Sequence, residues 1–426
     1  MAGVKSTGKP RVRTAQRNQL EMRAFDLDSL LGQGHPARMI WAFLDRMELA
    51  AFYADIRAQE HTVGRPATDP KILLAVWLYA HTDGVGSARA VERLCRTDDA
   101  YRWICGGVEM NYHTLSDFRV ERGEDLDDLL IQMLAVMTHQ GVVQLARVAQ
   151  DGMRVRADAG AASFRRQGTL EEHLAAARKQ VEDLRKELDE DPARRNRAEQ
   201  AAAKRAARER VEALERALAE MPKVIESKRR QRAKKGKKVG EPRVSTTDSD
   251  ARVMKMPDGG FRPAFNVQLA TDADSRVVVG VRVTNEGSDQ GQLVPMLDEI
   301  KRCTGVVPGE YLVDGGFAAL GQITEATRRG ATIYAPLHKP ARPRRAGVRP
   351  KHPDTPEVAA WRCRMQHPDA KRAYRARAAT AETTNADLRR WRGLDRFQVR
   401  GLRKARCQAL LSVLAYNLAR WDELMN

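Results

Sequence analysis

Three acidic residues, Asp151, Asp314 and Glu382, occupy positions where a strongly basic chain has little structural use for a carboxylate. Asp151 lies in V-A-Q-D-G-M-R-V-R (148–156), whose alternation predicts a β-strand. The period of two puts Asp151 on the same face as the apolar residues two positions away on either side. A carboxylate among inward-facing apolar side chains is costly unless it is paired or binds a metal. Asp151 is therefore the first candidate for a metal ligand.

The other two acids occupy positions that suit ligands of the same kind. Asp314 ends the apolar run Y-L-V-D-G-G-F (311–317), where a strand gives way to a glycine turn. Ligands of open α/β sheets bind at the carboxyl ends of strands. Glu382 lies in an arginine-rich helical segment, but positions 378, 379, 385 and 386 are Ala, Ala, Asn and Ala, so it lacks the usual basic helical partner. Together the three acids predict a metal site that acts on nucleic acid.

The chemistry that these residue types support is metal-assisted displacement at phosphorus. Three carboxylates supply hard oxygen ligands but leave part of the Mg²⁺ coordination shell to water and substrate phosphate. Two such ions, about 3.5–4 Å apart, activate an attacking oxygen and stabilise the leaving one. We therefore predict two Mg²⁺ ions, with Mn²⁺ as a substitute. The sequence offers no convincing Walker motif or Ser-His-Asp constellation in their place.

Composition favours a polyanionic partner. Lys and Arg number 74 against 56 Asp and Glu, a net charge of +18. Such an excess favours phosphate contacts, although a merely basic surface is the alternative. The longest apolar stretch (72–80) is too short to span a bilayer, which argues against a membrane partner. Five cysteines without C-x-x-C spacing indicate reduced thiols, so we expect a cytoplasmic, nucleoid-associated protein.

The order of elements predicts the fold class. Residues 1–20 form a basic flexible arm, and residues 21–140 are helical, as expected of a DNA-binding or assembly domain. Segments 141–165 and 243–400 follow the order strand, antiparallel hairpin, helix, strand, helix, strand, helix. This order predicts an α/β ribonuclease-H-like catalytic domain behind an all-α N-terminal domain. Residues 401–426 are predicted to form a C-terminal basic helix.

Residues 166–242 interrupt the predicted domain with heptad sequence. Apolar residues recur with a 4-3-4-3-4 spacing from Leu170 to Leu188, and a second series runs from Ala203 to Ile225 beyond Pro192. Two such helices predict an inserted α-helical coiled hairpin, and a single rod or a dimerising coil is the alternative. A basic run (228–238) follows, which we expect to contact DNA, although it also fits a solvated linker. The basic residues selected there are Arg229, Arg230, Lys234 and Lys235.

Two further helices carry basic residues suited to DNA. A short helix after the G-V-G-S turn (84–87) displays Arg89, Arg93 and Arg96. It fits the second helix of a helix-turn-helix DNA reader, or a helical hairpin with a solvated basic face. We favour the helical hairpin over a helix-turn-helix that reads bases. We expect its arginines to contact DNA without base specificity. Arg403 and Lys404, in R-G-L-R-K-A-R (400–406), suit a helix lying along a DNA backbone.

Several stretches together resemble one family, the bacterial insertion-sequence transposases of the DDE class, over essentially the whole chain. The matching stretches are G-R-P-A-T-D-P-K-I-L-L-A-V-W-L-Y-A (64–80), H-T-L-S-D-F-R (113–119), D-G-M-R-V-R-A-D-A (151–159), D-G-G-F-R-P-A-F-N-V-Q (258–268) and D-G-G-F-A-A-L (314–320). The resemblance implies that Asp151 and Asp314 are the first two catalytic acids and Glu382 the third. By contrast, Asp289 fits a helix-start role.

The family signature around the third acid is Tyr, two residues, Arg, three residues, Glu, six residues, Lys. Tyr374 and Arg377 fit its beginning, but four residues separate Arg377 from Glu382, and Arg389 takes the lysine position. On an ideal helix Arg375, Glu382 and Arg389 share a face within about 40°. We therefore expect Arg375 and Arg389 to contact phosphates, with Arg377 and Tyr374 in support.

The resemblance implies a specific activity. Such an enzyme binds the ends of its own insertion sequence, cleaves a strand with Mg²⁺-activated water, and joins the freed 3′-hydroxyl to target DNA. Joining two ends needs two active sites, so we expect a homodimer on DNA. The alternatives are a catalytically inactive, transposase-derived DNA-binding protein and a metal-dependent nuclease.

Overall fold

The fold is described from a computed structural model of the chain. It describes residues 24, 26–58, 66–190, 197–235, 240–337 and 354–425, without the side chains of 188–190, 197, 234 and 235. The basic arm predicted at 1–20 lies outside the described residues, as do the side chains of Lys234 and Lys235.

The N-terminal part consists of helices joined by short turns. The helices are α1 (Pro36–Leu44), α2 (Ala50–Tyr53), α3 (Pro70–Thr82), α4 (Ala88–Thr97), α5 (Asp99–Cys105), α6 (Tyr112–Glu121) and α7 (Gly123–His139). Proline at the first position helps to start α1 and α3, since that residue needs no hydrogen-bond donor there. The Asp69 carboxylate caps α3 by accepting from the amide of Lys71 at 2.8 Å. Helix α3 is buried along most of its length and anchors this part of the core.

A mixed sheet forms the centre of the molecule. Its strands are β1 (Arg147–Arg156), β4 (Arg252–Lys255), β5 (Phe261–Asp272), β6 (Val278–Thr284), β7 (Glu310–Leu312) and β8 (Thr332–Tyr334); β2 (Phe164–Arg165) and β3 (Val244–Ser245) pair separately. The six-stranded sheet has the order β4-β5-β1-β7-β8, and β6 also pairs with β5. Strand β1 is antiparallel to β5 and parallel to β7, which is parallel to β8. This topology is compatible with a ribonuclease-H-like fold.

Two long helices interrupt the sheet between β2 and β3. Helices α8 (Gln167–Glu190) and α9 (Arg197–Lys235) lie side by side. The residues buried between and beneath them are Leu170, Ala177, Leu214, Ala217, Met221, Val224 and Val244. An ion pair of 2.8 Å between Arg178 and Glu215 joins the two helices at the surface. Because Val244 belongs to β3, the small core continues into the two-stranded ladder where the insertion meets the rest of the molecule.

The remaining helices cover the sheet. They are α10 (Leu293–Thr304), α11 (Leu320–Arg328), α12 (Pro356–Arg364), α13 (Pro368–Arg377), α14 (Thr383–Trp391) and α15 (Leu402–Met425). Helices α10 and α15 both pack on β6. The π-helical turn Ala378–Glu382, called the π-turn below, joins α13 directly to α14.

Helix α15 lies where the sequence predicts a C-terminal basic helix (401–426), but most of its length is in the core. Its residues 405–418 are buried, except for the half-buried Arg406, and the helix packs on α3, α6, α7 and β6. Only the beginning of the helix, with Arg403 and Lys404, presents exposed basic side chains before this buried stretch. The boundary at residue 400 therefore divides a single core, because the apolar positions of α15 fill the space between the N-terminal helices and the sheet.

Candidate active site

Asp151 lies in the middle of β1, opposite Leu269 of β5. Its side chain is 20% exposed, and its strand neighbours Ala149, Met153 and Val155 are buried. The carboxylate accepts hydrogen bonds from the Gly152 amide at 2.9 Å and from the Asn385 side chain at 3.0 Å. The Arg377 guanidinium lies 3.7 Å away. Asp151 is thus a largely buried acid that meets donors from its own strand and from α14.

The surroundings of Asp151 disfavour the ionised form of its carboxyl group. Burial raises the pKa of its carboxyl group to about 6, and the Arg377 charge and the Gly152 hydrogen bond counteract only part of that rise. The charges of Asp314 and Asp289 raise the pKa of Asp151 further. The negative charges near this buried carboxyl group are therefore only partly balanced by the charge of Arg377. A divalent cation, which binds carboxylate oxygens, would relieve that imbalance.

Asp314 follows β7, the parallel neighbour of β1, by two residues. Its Oδ1 atom accepts a hydrogen bond of 2.6 Å from the Gly316 amide, so the glycine turn fixes the carboxylate. The charge of Asp314 reaches both Asp151 and Tyr374. The structure therefore brings Asp314 to the edge of the sheet where Asp151 lies, as parallel pairing of the two strands requires.

Glu382 ends the π-turn, and its side chain is 61% exposed. The Arg377 Nη2 atom lies 3.3 Å from the Glu382 Oε1 atom, although the two residues are five apart in sequence. Glu382 therefore does have a basic partner, contrary to the sequence interpretation, because a π-turn brings residues at i and i+5 together. Arg377 lies between Asp151 and Glu382. Within the described residues, no group of three acidic, histidine or cysteine side chains is close enough to hold a metal ion.

The π-turn also changes which arginine meets the acids. Ideal α-helical geometry aligned Arg375 with Glu382, but the π-turn lies between them, so that alignment does not apply. Arg377 contacts Asp151 and Glu382 and is hydrogen-bonded to Tyr374, whereas Arg375 is exposed. Arg389 is half-buried in the last turn of α14. The extra residue in the signature is thus accommodated by local widening of the helix.

Sequence reasoning missed two polar residues at the site, Asn385 and Asp289. Helix α10 begins at Leu293, so Asp289 is not at its start, and its carboxylate turns instead towards β1 and β5. The signal was the alternation of Asn266 and Gln268 with the apolar residues Phe265, Val267 and Leu269 in the middle of β5. Both residues are fully buried on one face of the strand, which indicates a polar partner inside the molecule.

The other basic residues selected from the sequence lie on separate surfaces. Those with exposed side chains are Arg89, Arg93 and Arg96 of α4, Arg229 and Arg230 of α9, and Arg403 and Lys404 of α15. Arg89 lies over the Tyr112 ring at 4.9 Å, and Glu226 contacts both α9 arginines. Among the described residues, no helix is long and apolar enough to cross a membrane.

Models of two known families match the chain. The model of the transposase DDE domain matches residues 241–418, and that of a second transposase domain (DUF772) matches residues 25–121. No curated protein and no solved structure gives a match. The mixed sheet and the matched DDE domain define a polynucleotidyl-transferase-type enzyme. The chain belongs to the DDE-type insertion-sequence transposases, and this family implies DNA as the partner.

Proposed function

We propose that this transposase binds the ends of its insertion sequence and catalyses metal-dependent strand cleavage and strand transfer. The observation that carries the proposal is that the charge of Asp314 acts on the largely buried Asp151, while Arg377 contacts both Asp151 and Glu382. Strand β1, the end of β7 and the π-turn, which are far apart in sequence, carry these acids. A site built only for stability would not crowd carboxylates around a buried one.

Asp151, Asp314 and Glu382 are the residues that would hold the divalent cations, and carboxylate oxygens are the ligands that Mg²⁺ prefers. When bound, the ions supply activation of the attacking water or hydroxyl and stabilisation of the leaving oxygen. Asp151 must be ionised to bind a cation. Arg377 favours the ionised form, because its charge lowers the pKa of Asp151 and so counteracts the effect of burial. The Gly152 amide and Asn385 orient its carboxylate.

Arg377, with Tyr374 beside it, also suits contact with a substrate phosphate. Its side chain is 13% exposed, and the Nη1 atom is buried without a hydrogen-bond partner among the described residues. A guanidinium with an unused donor beside the acids matches the geometry of phosphate oxygens. We assign Arg375 and Arg389, the next cationic residues along α13 and α14, to the flanking DNA backbone.

We further assign the architecture to functional parts. The sheet with its covering helices forms a ribonuclease-H-like catalytic domain, residues 21–140 form an all-α DNA-binding and assembly domain, and α8–α9 form an inserted coiled hairpin. The exposed arginines of α4 and α9 and the start of α15 supply general DNA contacts. A homodimer assembled on two DNA ends, in a cytoplasmic, nucleoid-associated protein, completes the proposal.

The test is cleavage of duplexes taken from the DNA that flanks the gene, where the ends of the element are expected. We expect nicks at the element end in Mg²⁺, no cleavage with Ca²⁺ or a chelator, and loss of cleavage in Asp151→Asn. DNA affinity of that variant should match the wild type. Cleavage that persists in Asp151→Asn contradicts the assignment.

The same reaction separates the two alternatives. An inactive DNA-binding protein would bind the end without nicking it under any metal. A nuclease would hydrolyse the duplex without joining products, so a labelled end recovered in a target plasmid distinguishes transposition from hydrolysis.

A further inference from the structure

The loop between β6 and α10 holds a carboxylate against the underside of the candidate site. The Asp289 side chain is 13% exposed. Its Oδ1 atom accepts hydrogen bonds from the side-chain amides of Asn266 at 2.8 Å and Gln268 at 2.6 Å. Its Oδ2 atom accepts from the Arg154 guanidinium at 2.9 Å. Because three donors converge on it, Asp289 is fixed with respect to both β1 and β5.

A chain of contacts leads from Asp289 to Asp151. Arg154 Nη1 donates to the carbonyl oxygen of Gly152 at 3.2 Å, while its Nη2 atom contacts Asp289. The amide of Gly152 in turn donates to the Asp151 carboxylate at 2.9 Å. In each link the donor or the acceptor is charged, which makes these hydrogen bonds stronger than neutral ones. Arg154 thus holds the peptide group after Gly152, and the peptide group before Gly152 holds the Asp151 carboxylate.

The close approach at Gly152 explains why this position carries no side chain. A Cβ atom added there would lie 2.2 Å from Asp289 Oδ1 and 2.5 Å from Gln268 Nε2. The carboxylate of Asp289 therefore takes the space in which a side chain next to Asp151 would lie. Gln150, two residues earlier on the same face, joins the cluster through a 2.9 Å hydrogen bond to Gln268. The polar cluster is thus continuous beneath the strand that carries Asp151.

Helix capping does not account for Asp289. It does not cap α10, whose N-cap is Gln292. A buried carboxylate this close to Asp151 also costs stability, since the two like charges repel. The Asn266 Oδ1 atom is buried without a hydrogen-bond partner among the described residues. A core selected for stability alone would avoid both features.

We propose that Asp289 is a positioning residue for the catalytic acid Asp151, which it orients through Arg154 and the Gly152 peptide. The inference rests on the proposed function, because it assumes that Asp151 is a metal-binding catalytic acid. Residues that orient metal ligands in this way, without touching the metal, commonly change metal affinity or activity by about 10- to 100-fold when removed.

The test compares Asp289→Asn with the wild-type chain on an end-containing duplex. We expect the cleavage rate at saturating DNA to fall by about tenfold or more, with the half-saturating DNA concentration unchanged. Mn²⁺ titration of the DNA complex, followed by the electron paramagnetic resonance of free Mn²⁺, should show weaker binding by a similar factor. Wild-type cleavage and Mn²⁺ affinity in Asp289→Asn would overturn the proposal.

The matched control is Asp158→Asn. Asp158 also holds two arginines, Arg396 at 3.0 Å and Arg400 at 2.9 Å, but lies beyond the end of β1. Its loss also releases two arginines, although at a more exposed position, and should leave both readouts unchanged. If Asp289→Asn does not fold, Arg154→Gln breaks the same chain of contacts and should give the same separation of rate from DNA affinity.

The Mn²⁺ readout also separates this inference from the proposed function. If Asp151→Asn binds Mn²⁺ as tightly as the wild type, the proposed function fails and so does the assignment of Asp289. If Asp151→Asn weakens Mn²⁺ binding while Asp289→Asn and Arg154→Gln do not, only the positioning role fails.

Discussion

Arg377 and Glu382 form an ion pair of 3.3 Å across a π-helical turn, although they are five positions apart in the chain. The same guanidinium lies 3.7 Å from Asp151, so one cation lies between two acids delivered by a helix and by a strand. The π-turn makes this possible because it absorbs the residue by which the chain exceeds the family spacing. The flanking helices α13 and α14 continue on either side of it.

Deletion of the exposed Ala379 should convert the π-turn into ordinary α-helix and be tolerated. The shorter segment has the family spacing, so Arg377 and Glu382 become i and i+4 neighbours and keep their contact. We expect Mg²⁺-dependent cleavage within a few-fold of the wild type, with folding checked by circular dichroism and thermal unfolding.

Insertion of a further alanine after Ala379 is the opposing variant. It turns α14 by about 100° and should abolish cleavage. A folded deletion variant without activity would contradict this account.

Arg377→Gln should strengthen divalent-cation binding by the DNA-free chain. The guanidinium occupies the neighbourhood of Asp151 and Glu382 and repels a second cation there. We expect Mn²⁺ to bind about tenfold more tightly, a typical size for coupling between two ligands. Isothermal titration checks this, with Arg375→Gln on the exposed side of the same helix as the control. Equal Mn²⁺ affinities of the wild type, Arg377→Gln and Arg375→Gln would show that Arg377 does not compete with the cation.

Asp151→Asn should stabilise the fold in the absence of divalent cations, and the gain should depend on pH. The folded-state pKa of Asp151 is raised from 3.8 to about 6, so ionisation disfavours the folded state. The gain is therefore absent below about pH 4, grows as the pH rises through 6, and reaches at most about 3 kcal/mol above that. Thermal unfolding of both proteins between pH 4 and 8 measures it. A gain that is the same at every pH contradicts the raised pKa.

Asp127→Asn should destabilise the packing of α7 against α10 and α15. The Asp127 carboxylate is 13% exposed and contacts Arg406 at 2.8 Å and Arg302 at 2.9 Å. Both arginines are partly exposed and keep Glu299 as a partner, so we expect a loss of roughly 1–2 kcal/mol, less than for a fully buried pair. Urea unfolding measures the loss. Asp128→Asn, at an exposed position on the same helix, should change stability little.

Sequence patterns alone predicted much of the local structure. The alternation around Asp151 predicts the strand observed at Arg147–Arg156, and the apolar run before Asp314 predicts the strand at Glu310–Leu312. These predictions succeed because alternation and short apolar runs report the faces on which a strand is buried. The sequence also shows the candidate acids themselves, since carboxylates at such positions need a special reason.

Only the tertiary structure decided how those acids are surrounded. Helical periodicity assumes a constant rise per residue, so it could not show the π-turn that places Arg377 rather than Arg375 beside Glu382. The contacts of Asp289 could not be predicted from local sequence either. Its partner Arg154 on β1 is 135 residues away in the chain, and its partner Asn266 on β5 is 23 residues away. Contacts between distant segments arise when the sheet pairs and the core closes. Local sequence therefore determined which groups the protein has for chemistry, and packing determined which of them meet.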